Sequence, residues 1–108
     1  MNECLFCKII AGTLPCDKVY EDEEVFAFHD IRPLAPVHFL LVPKRHIATL
    51  LDCGPPERTL LGKLLSLVPE LARAQGLMQG FKTHINTGRA GGQEVWHVHV
   101  HVFGHPSA

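Results

Sequence analysis

Three histidines alternate with valines near the C-terminal end of the chain, in the segment His97-Val98-His99-Val100-His101-Val102. Successive side chains of a β-strand point to opposite faces, so this alternation predicts a strand with the imidazoles on one face and the valines packed inward. Alternate residues lie roughly 6–7 Å apart, whereas a metal needs its nitrogen ligands at about 2 Å. The histidines therefore form a row that suits an extended electrophile such as a phosphate, and one metal ion does not bind all three.

The middle histidine of this row, His99, is the predicted attacking group, with a flanking histidine to supply protons or hold oxygens. An imidazole has an unperturbed pKa near 6.5, so at pH 7 it is largely neutral and needs no separate base. Its other ring nitrogen must then donate a proton to a fixed acceptor, for which a nearby backbone carbonyl is suited. A strand whose polar face happens to be histidine is the plain alternative, and three histidines in register among eight argue against it.

The length of 108 residues predicts one domain, residues 1–108, with a single core. The formal charge of −1 provides no basic field for a nucleic-acid backbone. No eighteen consecutive residues are apolar, and the N-terminal MNECLFCKII lacks the basic and apolar regions of an export signal. We therefore expect a cytoplasmic protein that binds neither nucleic acid nor membrane.

The apolar pattern predicts two helices: a short one over residues 4–11 and a long one over residues 55–75, with a leucine stripe and a kink at Pro69. Five strands are predicted, over residues 19–20, 25–28, 37–42, 81–86 and 95–103. Strands that follow one another without helical crossovers favour antiparallel pairing. The predicted fold class is α+β, with a five-stranded antiparallel sheet, one short N-terminal helix and one long helix.

A glycine-rich loop over residues 87–93 runs directly into the histidine strand. Gly91 and Gly92 permit positive backbone dihedrals that point successive N–H groups at one anion, so the loop is interpreted as a phosphate pocket rather than an ordinary connection. Asp30 follows the strand over residues 25–28. Its carboxylate is suited to accepting hydrogen bonds from ribose hydroxyls, and the alternative role is capping of the turn before Pro33.

Two cysteines, Cys4 and Cys7, have the spacing that lets two thiolates reach one zinc ion. Cys16 and Cys53 offer no second pair at such spacing, so any further ligands would be histidines from elsewhere. The alternative is that the thiols pack as small apolar groups.

Several segments, in the same order along the chain, resemble the histidine triad (HIT) superfamily and specifically the bacterial type of its histidine triad nucleotide-binding branch. They are Phe28-His29-Asp30-Ile31, Pro43-Lys44-Arg45-His46, Asn86, Gly91-Gly92-Gln93-Glu94 and the histidine row. The resemblance implies a purine nucleoside phosphoramidate hydrolase of the adenosine 5′-monophosphoramidase type. Such an enzyme releases a nucleoside monophosphate (AMP) and an amine through a covalent nucleotidyl-histidine, works as a homodimer whose two sheets join, and requires no cofactor for catalysis.

The resemblance also implies roles for individual residues. The expected catalytic residues are His99 as nucleophile, His101 at the phosphate and leaving group, and His97 and His46 as supporting histidines. The expected substrate contacts are Asp30 at the ribose, Ile31 at the base pocket, Asn86, Gly92, Gln93 and Glu94 on the phosphate side, and Phe6, Ile9 and Phe28 on the apolar wall beside the base. Glu94 stands where eukaryotic members have a serine, and an extra carboxylate there favours a cationic leaving amine or alters proton delivery.

Two further expectations concern metal and assembly. If the sheet brings residue 46 near residue 97, then Cys4, Cys7, His46 and His97 complete a structural zinc site, a combination found in some bacterial members with a similar cysteine pair. The leucine stripe of the long helix has more apolar surface than one small sheet needs, which favours a homodimer.

Three other functions remain open from the residues: a nucleotide-binding regulatory module with little turnover, a dinucleoside polyphosphate hydrolase, and a cupin-like metalloenzyme. The last is disfavoured because five strands and a long helix do not supply a double-sheet barrel.

Overall fold

A computed structural model of the chain describes residues 4–107 as one antiparallel sheet of five strands with two α-helices. The predicted single domain also includes residues 1–3 and 108, which lie outside the described residues. The elements are α1 (Leu5–Ile10), β1 (Lys18–Glu21), β2 (Val25–His29), β3 (Val37–Pro43), α2 (Arg58–Ala74), β4 (Lys82–His84) and β5 (Val100–Gly104). The strand order is β1-β2-β3-β5-β4, and every neighbouring pair is antiparallel. The predicted fold class is confirmed.

Helix α2 covers one face of the sheet. Its apolar stripe is buried together with the inward side chains of β3 and β5, which include Phe39, Leu41, Val100 and Val102. A 3-10 turn, Pro55–Glu57, leads into the helix, because proline is tolerated where no N–H partner is needed. Pro69 lies inside this helix, within the span that the sequence predicted to be helical. Leu64, Leu67, Val68 and Leu71 of this stripe are buried in the core, whereas Leu65 is 49% exposed.

Helix α1 covers the opposite face, which we call the histidine face. Phe6 of α1 is buried there with Phe26 and Phe28 of β2 and with Leu40 and Val42 of β3. Strands β2 and β3 are therefore buried on both faces of the sheet, which explains their nearly continuous apolar sequences. The sequence predicted a half-buried strand with the three imidazoles on one face, and the burial of His97 and His99 goes further than that. These residues are only 0% and 6% exposed, because α1 packs over them.

The predicted strand over residues 95–103 is shorter in the structure, where β5 begins at Val100. Val98 donates its N–H to the carbonyl of Ile47 at 2.7 Å, in the segment that follows β3. The alternation of histidine and valine extends beyond the regular strand because residues 97–99 still present alternate sides to two packed layers. Likewise, the strand predicted over residues 81–86 is reduced to β4, and a 3-10 turn that the sequence did not predict, Leu50–Asp52, is capped by Thr49.

Within residues 4–107, neither α-helix combines the length and the apolar character needed to cross a membrane.

Candidate active site

His97 leaves the row and joins a cluster with Cys4, Cys7 and His46, which we call the cysteine–histidine cluster. Its Nε2 lies 2.7 Å from the carbonyl oxygen of Pro43. A carbonyl only accepts hydrogen bonds, so Nε2 carries the proton and Nδ1 has a lone pair. That Nδ1 lies 3.4 Å from Sγ of Cys4, 3.6 Å from Sγ of Cys7 and 3.3 Å from Nδ1 of His46. Sγ of Cys7 and Nδ1 of His46 are 3.4 Å apart.

The four residues come from three distant parts of the chain. Helix α1 and the residue before it carry both cysteines, the turn after β3 carries His46, and the segment before β5 carries His97. Residue 46 thus lies beside residue 97, which is the condition on which the expected zinc site depended. Nε2 of His97 is bonded to the carbonyl of Pro43, and its Nδ1 faces the cluster. The imidazole of His97 therefore does not flank His99 as the row predicted.

His99 lies at the centre of the histidine face. Its Nδ1 is 2.7 Å from the carbonyl oxygen of His97, so Nδ1 donates its proton to that carbonyl. The neutral ring then has its lone pair on Nε2, which is the nitrogen that can attack an electrophile. The fixed acceptor that the sequence required is thus the backbone carbonyl two residues earlier. The ring of His101 follows at a centroid distance of 4.8 Å.

Asp30, His38 and His101 form a second group, which we call the His38 chain. Leu34 donates its backbone N–H to Nδ1 of His38 at 3.0 Å, so His38 has its proton on Nε2. That Nε2 lies 3.0 Å from Nδ1 of His101 and 3.4 Å from Oδ2 of Asp30. His38 therefore donates toward His101, and His101 keeps its own proton on Nε2.

The same geometry disfavours a metal ion in the His38 chain, although the ligand atoms of Asp30, His38 and His101 lie close together. Metal binding at Nε2 of His38 would require loss of its proton while the Leu34 N–H still occupies Nδ1. The backbone therefore makes one cluster suited to a metal and the other suited to hydrogen bonding.

Sequence reasoning missed His38. It lies in β3 next to Phe39 and shares the histidine face with Leu40, which is directly opposite His101 in β5. Strand alternation alone would have placed His38, Leu40 and Val42 on one face. Only the pairing of β3 with β5, two strands separated by α2 and β4 in the sequence, brings that face to His101.

Phe6 connects α1 to the histidines. Its ring lies edge-on to the ring of His99 at a centroid distance of 5.0 Å and an angle of 87°, and 6.0 Å from His97. It also packs against Phe28 at 5.3 Å. Phe6 and Phe28 are thus buried under the histidine face rather than standing at its surface.

The glycine loop differs from its expected geometry. The N–H groups of Gly91 and Gln93 donate to the carbonyl of Gly88 at 3.2 and 3.1 Å, and Gly92 donates to Arg89 at 3.0 Å. These three N–H groups turn into the loop and do not point at one anion. The positive φ of Gly92, +77°, closes this internal network.

Gln93 holds that loop against the neighbouring backbone. Its Oε1 accepts the N–H of Gly88 at 2.9 Å, and its Nε2 donates to the carbonyls of Ala48 and Val95 at 2.7 and 3.0 Å. The side-chain amide is therefore fully used inside the protein. Its backbone N–H is likewise bonded to Gly88, so the expected donation from Gln93 to a phosphate is not available in this arrangement.

Asp30 has the capping role that the sequence offered as the alternative to ribose binding, and it also contacts a histidine. Its Oδ1 accepts the N–H of Arg32 at 2.8 Å, which caps the turn after β2, while Oδ2 faces His38. Of the other expected contacts, Ile31, Asn86, Gly92 and Glu94 are exposed and Ile9 is half-buried. Glu94 favours the charged form of His99 electrostatically, but burial outweighs it.

Burial lowers the pKa values of His38, His97 and His99. For His101, burial and the neighbouring imidazoles of His99 and His38 lower the pKa to about 4. The four histidines are therefore neutral at pH 7, the form in which each ring has one donor nitrogen and one lone pair.

Comparisons with known proteins place the chain in a family and match its fold. A family model described as the HIT domain matches residues 11–107. Protein HitA of Neisseria gonorrhoeae is 53% identical over 106 residues, which cover 98% of this chain and 99% of that protein. A HIT family hydrolase from Legionella pneumophila Philadelphia 1 superposes with a TM-score of 0.91 at 46% identity, covering 94% of this chain and 92% of that one. A histidine triad nucleotide-binding protein from Candida albicans has a TM-score of 0.82 at 34% identity, covering 93% of this chain and 73% of that one.

The lowered pKa of His101 predicts that stability falls as the pH is lowered from 7 to 5. Between the ordinary histidine pKa of about 6.5 and the folded value of about 4, the unfolded chain takes up a proton that the folded chain does not. The stabilisation is thus fully present above pH 6.5 and decreases toward pH 4. Urea denaturation at pH 7, 6 and 5 measures the free energy of unfolding. Between pH 7 and pH 5, this free energy should decrease by about 1–2 kcal/mol less in His101→Asn than in the wild type.

The exposed His105 provides the matched control. His105→Asn should keep the wild-type dependence of unfolding free energy on pH. Equal pH dependence in the wild type and His101→Asn would contradict the low pKa of His101.

Proposed function

Because this chain belongs to the HIT domain family, we propose that it is a hydrolase of purine nucleoside phosphoramidates that releases a nucleoside monophosphate and an amine. The observation that carries the proposal is the proton position on His99. Its Nδ1–H is fixed on the carbonyl of His97, so the Nε2 lone pair is available at neutral pH. The hydrolase in Legionella and the nucleotide-binding protein in Candida support the general class, a hydrolase with a nucleotide ligand.

In the proposed reaction, Nε2 of His99 attacks the α-phosphorus in line. A nitrogen–phosphorus bond to His99 forms, and the bond to the substrate nitrogen, which takes up a proton from solvent, breaks to release the amine. The His97 carbonyl stabilises the positive charge that develops on the His99 ring, because it accepts the Nδ1–H throughout. Water then attacks phosphorus, frees His99 and yields the nucleoside monophosphate.

His101 supports this reaction as a hydrogen-bond donor. Its Nδ1 accepts from His38, so its Nε2–H is the group available to a phosphate oxygen or the leaving group. Donors of fixed orientation stabilise the charge that develops on transferring phosphoryl oxygens. In the binding step, Asp30 would hold the ribose hydroxyls, while Ile31, Ile9 and the rings beneath them would flank the base.

We also propose a structural zinc ion in the cysteine–histidine cluster. Zinc bonds of about 2.0–2.3 Å in a tetrahedron separate the ligand atoms by about 3.3–3.8 Å. The sulfur–nitrogen separations of 3.4–3.6 Å and the nitrogen–nitrogen separation of 3.3 Å fit this geometry. His97 meets the further requirement of a second-shell partner, because its Nε2–H is held by Pro43. The metal would fasten α1 to the sheet and take no part in bond breaking.

We also propose that the protein forms a dimer. The interface lies on a different surface from the leucine stripe of α2, which the sequence suggested. Helix α2 buries its stripe against its own sheet. Strand β4, in contrast, is an exposed edge strand without a further partner strand among the described residues. Beside it lies a cavity of about 540 Å³ lined in part by Leu34, Phe81 and Phe103. An unpaired edge next to apolar side chains favours pairing with a second copy.

The covalent step predicts that His99 is the only histidine to become nucleotidylated. Rapid acid quench during turnover of an adenosine phosphoramidate, followed by peptide mass mapping, should locate AMP on His99. His99→Ala should lose the adduct and several orders of magnitude in kcat, because the nucleophile is gone. Binding of the nucleoside monophosphate should survive, since Asp30 and the base wall remain.

Assays with a phosphoramidate, a dinucleoside polyphosphate and AMP distinguish the proposed function from its alternatives. A dinucleoside polyphosphate turned over faster than the phosphoramidate would favour the polyphosphate hydrolase. Binding of AMP without turnover of either substrate would favour a regulatory module. An adduct on another residue, or near-normal turnover by His99→Ala, would refute the mechanism.

The zinc proposal predicts about one zinc ion per chain after expression in zinc-replete medium. Cys7→Ser removes one thiolate and should reduce the zinc content strongly, whereas Cys16→Ser, at an exposed position outside the cluster, should not. Elemental analysis of both variants beside the wild type provides the measurement. A wild-type content below about a tenth of an ion per chain would argue decisively against the site.

The dimer proposal predicts a mass near twice the 12.0 kDa of one chain at micromolar concentration. Leu34→Glu places a charge beside β4 and should shift the mass toward that of the monomer. Leu65→Glu, on the outer side of α2, should not. Light scattering measures the mass of both variants and of the wild type. A monomeric wild type would refute the dimer proposal. Dissociation by Leu65→Glu alone would move the interface to the helix.

A further inference from the structure

We propose that Phe6 and His97 are positioning residues, which transmit occupancy of the cysteine–histidine cluster to the ring of His99. The inference rests on the proposed function in so far as His99 is the attacking group. Two separate contacts carry it, one through the backbone and one through an aromatic ring.

The backbone contact passes through His97. One end of this residue, Nδ1 of its imidazole, lies among the two sulfur atoms and His46, within 3.3–3.6 Å of each. Its other end, the carbonyl oxygen, accepts the Nδ1–H of His99 at 2.7 Å. His97 therefore connects the cluster, through its side chain, to the backbone acceptor that decides which nitrogen of His99 is protonated.

The aromatic contact passes through Phe6. This residue lies between Cys4 and Cys7 in the chain, so both sulfur atoms of the cluster flank it in sequence. Its ring meets the ring of His99 edge-on at 5.0 Å. Fastening the two sulfur atoms thus also fixes the ring that limits the rotation of His99.

Helix α1 needs this fastening because it is short. It contains six residues, and helices far shorter than about 12–15 residues are not stable by themselves in water. Its position depends on Phe6 packing and on the cluster. Nδ1 of His97 and Nδ1 of His46 lie 3.3 Å apart, and a shared metal would hold both of them together with the two cysteines that α1 and the residue before it carry.

We therefore expect metal occupancy to set the order and tautomer of the His99 ring. Loss of the metal should broaden the orientations of α1 and of the His97 carbonyl and populate the wrong tautomer of His99. Displacement of a catalytic group by about 1 Å can reduce a rate roughly 100-fold. The effect should appear in the chemical step even when nucleotide is saturating.

The first test compares the zinc-loaded wild type with Cys7→Ser, with Cys16→Ser as the matched control. NMR of protein labelled with 15N-histidine should show a single His99 tautomer, protonated at Nδ1, in the wild type and Cys16→Ser. Cys7→Ser should show a mixture or broadened signals. Its single-turnover rate of adduct formation at saturating phosphoramidate should fall roughly 10- to 100-fold.

A second variant separates the metal from the contact. Phe6→Leu retains all four ligands, so Co²⁺ should bind with the visible absorption of the wild-type cobalt form. Its His99 signals should nevertheless broaden, and its single-turnover rate should fall, because the edge-on ring is missing. If Cys7→Ser does not fold, removal of zinc from the wild type by a chelator and its re-addition provide the same comparison reversibly.

The outcomes separate this inference from the proposed function. Unchanged His99 signals and rates in metal-free protein and in Phe6→Leu would overturn the positioning role. Metal-dependent His99 signals in a wild type that forms no adduct would support positioning and refute the proposed reaction. A wild type that does not bind zinc or Co²⁺ would overturn the inference and leave the reaction at His99 unaffected.

Discussion

The site depends on one constraint: a backbone carbonyl only accepts a hydrogen bond and a backbone N–H only donates one. Three such groups, the carbonyls of Pro43 and His97 and the N–H of Leu34, each contact one imidazole nitrogen at 2.7–3.0 Å. Because the rings are neutral at pH 7, each contact decides the protonation of both nitrogens of its ring. The backbone thereby gives histidines of identical intrinsic chemistry three different roles.

The roles follow from which nitrogen keeps its lone pair. His97 presents a lone pair to two sulfur atoms and a second imidazole, so it suits a metal. His99 has its lone pair on Nε2, the nitrogen that is not bonded to the His97 carbonyl, so it suits attack on phosphorus. His38 presents a proton to His101, so the two rings form a hydrogen-bonded chain. Burial supports all three roles, because it lowers the pKa values and keeps the rings neutral.

The sheet supplies the rigidity that these contacts need. Its central strands are covered by α2 on one face and by α1 on the other, and β3 and β5 carry His38 and His101 on paired, hydrogen-bonded backbone. The groups beside the sheet are held in other ways. Gln93 fastens the glycine loop with three hydrogen bonds, and the cysteine–histidine cluster fastens α1.

The sequence by itself determined the secondary-structure content, the antiparallel sheet and the importance of residues 97–101, because strand alternation and helix periodicity are local signals. It also indicated that the middle histidine needs a fixed proton acceptor. It could not identify His38, since the contact with His101 requires the pairing of two strands that are remote in sequence. Nor could it show that the loop N–H groups turn inward or that His97 leaves the row. Those outcomes depend on where distant carbonyls, N–H groups and side chains meet, and only the packed structure decides that.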